Sequence, residues 1–197
     1  MSTHAKAAAK FLADRERAAW HDRALYHVRE KRDRMAHAVP EWEALRQAAS
    51  EIKLHTLSHL GRYLEEFERN ATANGMVVHW ASDAREMNRI VLDILRRHGG
   101  RTLIKSKSML SEECGLAPFL AGQGIDAVES DLGERIMQLM HRPPSHIVLP
   151  AIHVRREEVG ELFERELGTA RGDSDPTYLT HEAPKHLRGK FLTADAA

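Results

Sequence analysis

Four short apolar runs, each rich in β-forming residues, constrain this chain more than any other feature. They are Met76-Val-Val-His-Trp80, Arg101-Thr-Leu-Ile-Lys105, Ile125-Asp-Ala-Val-Glu129 and His146-Ile-Val-Leu149. Helical patterns separate them. The runs begin near 76, 102, 125 and 146, so their starts lie 26, 23 and 21 residues apart. Each interval has room for a helical crossover, which predicts a βαβαβαβ order and a parallel α/β sheet with right-handed crossovers. Local signals agree. Asp83 and Glu86 have the spacing of a capping box before the face made by Ala84, Met87, Ile90, Val91, Ile94 and Leu95. Gly99-Gly100 close that helix. Further helices are expected near Ser111-Glu112-Glu113, over Leu132 to Met140 up to Pro143-Pro144, and from Val159 to Leu167 before Gly168.

Ahead of the first run, residues 5–36 are Ala-rich, lack Gly and Pro, and predict a helix. Pro40 punctuates it. A second long helix is expected from about Glu41, with Trp42, Leu45, Ala49, Ile52, Leu60, Leu64 and Phe67 at helical steps, until Asn74-Gly75. The expected organisation is a helical region over 1–75, an α/β region over 76–168, and a polar loop with a weakly helical C-terminal segment over 169–197. At 197 residues and 42% hydrophobic content the chain can build a core.

Charge excludes several classes. Twenty-nine basic residues balance 29 acidic ones, so there is no basic excess of the kind nucleic-acid binders carry. One cysteine, Cys114, excludes an internal disulfide and any four-thiolate zinc or iron–sulfur site made by this chain alone. No apolar run approaches the roughly 20 residues of a membrane span, and the charged start is unlike a secretory leader. A cytoplasmic location is the expectation. Neither a G-x-G-x-x-G turn nor a Walker P-loop occurs.

In open parallel sheets, ligands bind beyond the carboxyl ends of the strands. Those ends carry Lys105, Ser106, Lys107 and Ser108, then Glu129 and Asp131, then His153. Lysines and hydroxyls beside a helix start suit a carboxylate or phosphate; equally, the lysines can be solubilising charges at a sheet edge. Glu129 and Asp131 can hold a proton, a cation or a ribose, or Asp131 can be the N-cap of the next helix with Glu134 three residues on. His55 and His59 share a helical face but lack a third ligand, so no metal site is expected. No nucleophile–base pair is apparent, and catalytic residues are not assigned.

Three strings then stand out together: Lys105-Ser-Lys-Ser-Met-Leu-Ser-Glu-Glu113, Glu129-Ser-Asp-Leu-Gly-Glu134 and Pro144-Ser-His-Ile-Val-Leu-Pro-Ala-Ile-His153. With Val39-Pro-Glu-Trp-Glu, Asn74-Gly-Met-Val-Val-His-Trp80 and Lys190-Phe-Leu-Thr-Ala-Asp195, they resemble the lactate-utilization (LUD-domain) proteins, in the branch that forms the iron–sulfur-binding component. The resemblance implies a component of a three-subunit cytoplasmic system that oxidises L-lactate to pyruvate, passing electrons through [4Fe–4S] clusters. It implies a fold like the sugar-phosphate isomerases and CoA-transferases. The motif positions it marks are Lys105, Ser106, Lys107, Ser108, Glu112, Glu113, Glu129, Asp131, His146 and His153, as candidate ligand-binding residues. It implies other lactate-utilization subunits as partners, with self-association as a further expectation. Family members continue past the Ala-Asp string into further strands and a cysteine-rich cluster module. The expectation is therefore a truncated or split member lacking its own cofactor, whose role is that of an electron-transfer subunit's scaffold. The alternatives are a small-anion-binding α/β enzyme domain and a non-functional remnant.

Overall fold

The structure, a computed structural model, describes residues 3–197. It divides into two compact units at His79–Trp80.

The first unit is helical. α1 (Thr3–Ala13) and α2 (Arg15–His37) are separate helices because Asp14 caps the second, its carboxylate accepting from the Arg17 N–H at 3.0 Å. The single helix expected over 5–36 is thus two. The second expected helix is also two, α3 (Trp42–Ser58) and α4 (Leu60–Ala73), broken at His59. Gly75, at φ +83°, ends α4 as the Asn-Gly signal predicts. Among the described residues of this unit only Ala71 is buried.

The second unit contains α5 (Ala84–Arg97), β1 (Thr102–Lys105), α6 (Met109–Glu113), α7 (Leu116–Ala121), β2 (Asp126–Glu129), α8 (Leu132–Leu139), α9 (Arg156–Leu167) and α10 (Pro176–Thr193). Asp83 caps α5 by accepting from the Glu86 N–H, and Gly99 follows it at φ +67°. β1 and β2 pair in parallel with Thr102 opposite Asp126 and Lys105 opposite Glu129. Alternate residues serve opposite faces of this small sheet. Leu103 and Ala127 pack with Leu92 and Leu95 of α5 and Leu116 and Leu120 of α7. Ile104 and Val128 meet Leu187 of α10 on the other face. A third cluster joins α8, α9 and α10 around Met137, Leu162 and Phe163. Gly160 of α9 is where the chain comes closest: a Cβ there would lie 2.6 Å from the Asp173 carbonyl oxygen.

The four-strand expectation needs correction. Among the described residues the sheet has two strands, and neither 76–80 nor 146–149 is one of them. A β-prone run becomes a strand only where its backbone finds a partner ladder. Val77 is 78% exposed, and the Met76 N–H is spent on the Ala71 carbonyl at the end of α4. Pro143-Pro144 and Pro150 flank the other run, and the His146 Nδ1 accepts from both the Val148 and Leu149 N–H groups. That captures donors a ladder would need.

Both edges of the sheet are instead closed by devices the pattern did not announce. Beside β2, the Gln138 side-chain amide donates to the Ala127 carbonyl at 2.6 Å and accepts from the Glu129 N–H at 3.1 Å. One carboxamide thus replaces a neighbouring strand's peptide group. Beside β1, the chain's end bridges Leu103 in parallel through Ala196, whose carbonyl accepts from the Ile104 N–H at 2.9 Å. The Asp195 carboxylate accepts from the Arg101 N–H, the Thr102 N–H and the Thr102 hydroxyl, at 2.8, 2.9 and 2.8 Å. These bonds hold the carboxyl below its ordinary pKa.

Candidate functional site

The parallel register sets Lys105 and Glu129 side by side at the carboxyl ends of the two strands. Their side chains, 11% and 5% exposed, form an ion pair with Lys105 Nζ donating to Glu129 Oε2 at 2.7 Å. Glu112, from α6, lies 3.8 Å from the same ammonium. Burial pushes the Glu129 carboxyl up to about 7; the Lys105 ammonium opposes the shift, while the charges of Glu112 and Glu134 add to it.

Glu134 sits in the first turn of α8, its own N–H donated to the Asp131 carboxylate at 3.0 Å. Asp131 is thus the N-cap of α8. The Glu134 side chain is 3% exposed, and neither of its oxygens accepts a hydrogen bond. Its nearest cation is Lys107 Nζ, 3.8 Å from Oε1. A buried carboxylate without donors is costly, which sets this residue apart.

Glu112, Glu129 and Glu134 line one cleft of about 620 Å³. Ala117, Pro118, Ala121 and Met137 supply apolar wall, and Arg135, Gln138 and Arg142 line it as well. Burial lowers the Arg135 pKa from its ordinary value. One of the Arg135 terminal nitrogens donates to Gln138 Oε1 at 2.5 Å; the other lies 3.5 Å from His186 Nε2. Of the residues marked in the sequence, Glu112 and Glu129 line this cleft; Lys105 lies against both and Lys107 faces Glu134, and neither lysine lines it. Ser108 caps α6 through its hydroxyl, accepting from the Ser111 N–H, and Ser106 and Glu113 are exposed. His146 organises its own turn, and the His153 Nδ1 lies 2.6 Å from the Ser145 hydroxyl; neither histidine lines the cleft.

Sequence reasoning missed Glu134 as a site residue, along with Arg135, Gln138 and Ser145. Glu134 had a signal, its place three residues after a capping Asp, but that signal speaks of helix initiation. Nothing in the local pattern marks Gln138 as a strand surrogate. His55 and His59 do stack, their ring centroids 4.5 Å apart, and His55 Nε2 lies 2.9 Å from the Tyr63 hydroxyl. Among the described residues no three His, Cys, Asp or Glu side chains group as metal ligands, and no helix is long and apolar enough to cross a membrane.

Comparison with known proteins gives a consistent result. The LUD domain family model matches residues 64–197. Lactate utilization protein B of an Exiguobacterium species is 41% identical over 168 residues, covering 85% of this chain and 36% of that protein. Lactate utilization protein B of Bacillus subtilis is 37% identical, covering 85% and 35%. The uncharacterized electron transport protein YkgF of Escherichia coli is 37% identical, covering 83% and 34%. The chain thus spans about a third of the length of the curated relatives it matches. No solved structure matches it.

Proposed function

The chain belongs to the LUD-domain family, and from that premise we propose that it is the LUD portion of a lactate-utilization component. The observation that carries this reading is the similarity to the lactate utilization protein B relatives over 85% of the chain. The name of the Escherichia coli relative supports an electron-transport setting. The parallel pairing of β1 with β2, and the parallel bridge to Ala196, support a sheet of the sugar-phosphate isomerase and CoA-transferase kind.

Its contribution is that of a scaffold beside the electron carriers. A [4Fe–4S] cluster takes about four thiolates, and the sequence holds one cysteine, half-buried Cys114. These residues do not fit a cluster held by this chain alone. What it offers is surface: Ile147 and Val148 on the loop before α9 and Phe191 and Leu192 at the end of α10 are exposed large apolar residues. Such positions suit contact with other subunits.

Growth tests the role. Removing the chain from its host should abolish growth on L-lactate as sole carbon source, and restoring it should return growth. Unimpaired growth on L-lactate without the chain would overturn the reading.

A further inference from the structure

Trp42, Leu45, Ile52, Leu60, Leu64 and Phe67 of α3 and α4 are each 38 to 66% exposed. With Ala49 and Thr56 they recur at helical steps of 3, 4, 3, 4, 4, 4 and 3, which makes one stripe along each helix. Helices of this length take most of their stability from packing such a stripe. The stripe is also symmetric. Ile52 and Leu60 stand four residues on either side of Thr56, Ala49 and Leu64 seven and eight, and Leu45 and Phe67 eleven. The two helices match in length, 17 and 14 residues, and their break at His59 lies near this centre.

We propose that the chain forms a two-fold symmetric dimer in which α3 of one copy packs antiparallel on α4 of the other, with Thr56 at the axis. This goes beyond the lactate-utilization role and does not depend on it. A two-fold interface must be complementary to itself, and the mirrored stripe meets that demand where a different partner would not require it. Ile52 then faces Leu60, Ala49 faces Leu64, and Leu45 faces Phe67. Trp42 falls opposite Ala71, where Met76 folds back on the helix end and stays exposed. Small thus meets large. A parallel pair would set Ala49 against Ala49 and Trp42 against Trp42, a gap beside a clash. Charge agrees. Arg46 follows Leu45 and Glu68 follows Phe67, and in antiparallel helices the flanks of the same side meet, so Arg46 of one copy faces Glu68 of the other, twice by symmetry. Arg46 already pairs with Glu43 of its own helix at 2.6 Å, an exposed contact that leaves further donors on the guanidinium. The area suffices too. Six large side chains exposing roughly 100 Å² each cover on the order of 600 Å² of apolar surface per copy. A standard interface buries about 800 Å² per partner, somewhat more than half of it apolar.

Sedimentation of the full chain should show a dimer at about 20 μM, above the dissociation constant of a micromolar or tighter complex. Leu64→Glu should weaken it by about a hundredfold, because each copy would bury a lone charge. Arg46→Glu should weaken it by about tenfold, and adding Glu68→Arg should restore it to within about threefold. That rescue tests the pairing even if Leu64→Glu folds poorly. In a Cys114→Ser background, Thr56→Cys should link to its own copy on mild oxidation, while Trp42→Cys should not, its copies standing about 40 Å apart along the pair. A monomer at the stated concentration would mean that something other than a second copy covers the stripe, and would overturn the proposal. So would a dimer that Leu64→Glu leaves intact, a double reversal no tighter than Arg46→Glu alone, no linking through Thr56→Cys, or linking through Trp42→Cys as readily as through Thr56→Cys.

Discussion

Replacing Lys105 by Met should produce a stability loss that grows with pH. The pair it breaks is nearly closed to solvent, with exposures of 11% and 5% and a separation of 2.7 Å. Removing one partner of a buried ion pair costs about 3–5 kcal/mol when the other must stay charged. Glu129 has an escape, because its folded carboxyl already titrates near 7 against an ordinary 4.5. A carboxyl whose folded pKa is raised contributes stability that is full below its unfolded pKa and is lost as pH rises through the folded one. In the native protein that loss falls between about 4.5 and 7. Without the lysine, which lowers this pKa, the window extends above 7. The deficit of the variant should therefore be small at pH 6, near the 1 kcal/mol of one lost hydrogen bond. It should deepen by about 1.4 kcal/mol per pH unit above neutrality, reaching about 3 kcal/mol at pH 8.5. Urea unfolding followed by circular dichroism at the two pH values measures it. Equal losses at both would mean that Lys105 acts by packing alone, and no loss at either would mean that water reaches the pair. Lys105→Met with Glu129→Leu should recover most of the stability at pH 8.5, since no lone charge is then buried.

Gly160→Ala should destabilise by about 1–3 kcal/mol, because its Cβ would meet the Asp173 carbonyl oxygen at 2.6 Å and force α9 and the 169–175 loop apart; a melting temperature equal to the wild type's would refute that close approach. Gln138→Leu should cost about 1–3 kcal/mol by orphaning the Ala127 carbonyl and the Glu129 N–H. It should also promote further self-association through the opened edge, visible by sedimentation, and a stable variant no larger than the wild type would show that the amide is dispensable.

Local signals were legible wherever one residue decides a backbone state. Asp83 before α5, Gly75, Gly99 and Gly168 stand where the pattern puts them, the three glycines at positive φ. β1 and β2 were legible too, since each has a partner of matching length. Met76–Trp80 and His146–Leu149 are also rich in β-forming residues, but pairing is a property of two segments and composition describes one. α10 looked weak because Pro184 and Gly189 interrupt it, yet Leu179, Ala183 and Leu187 are buried and tertiary packing overrides propensity. At the site, Lys105 and Glu129 were each recognisable at a strand end. That they neutralise each other follows from a one-to-one parallel register, which no single run reveals. Glu134 was readable only as a capping partner because its isolation from donors is a fact of three dimensions.

The bond from the Thr102 N–H to Asp195 spans 93 positions of chain, whereas the Lys105–Glu129 contact spans 24. Closing the longer loop doubles the chain length about twice over, an added entropic cost of about 1.2 kcal/mol. α10 reduces that cost once formed, because Leu187 on Ile104 and Val128 carries the following residues to the sheet. These separations predict an order of assembly in which β1 joins β2 early, α10 docks next, and residues 195–196 zip onto β1 last. Amides that these final residues protect, above all those of Arg101 and Ile104, should exchange with solvent through a low-energy opening that leaves the β1–β2 ladder closed.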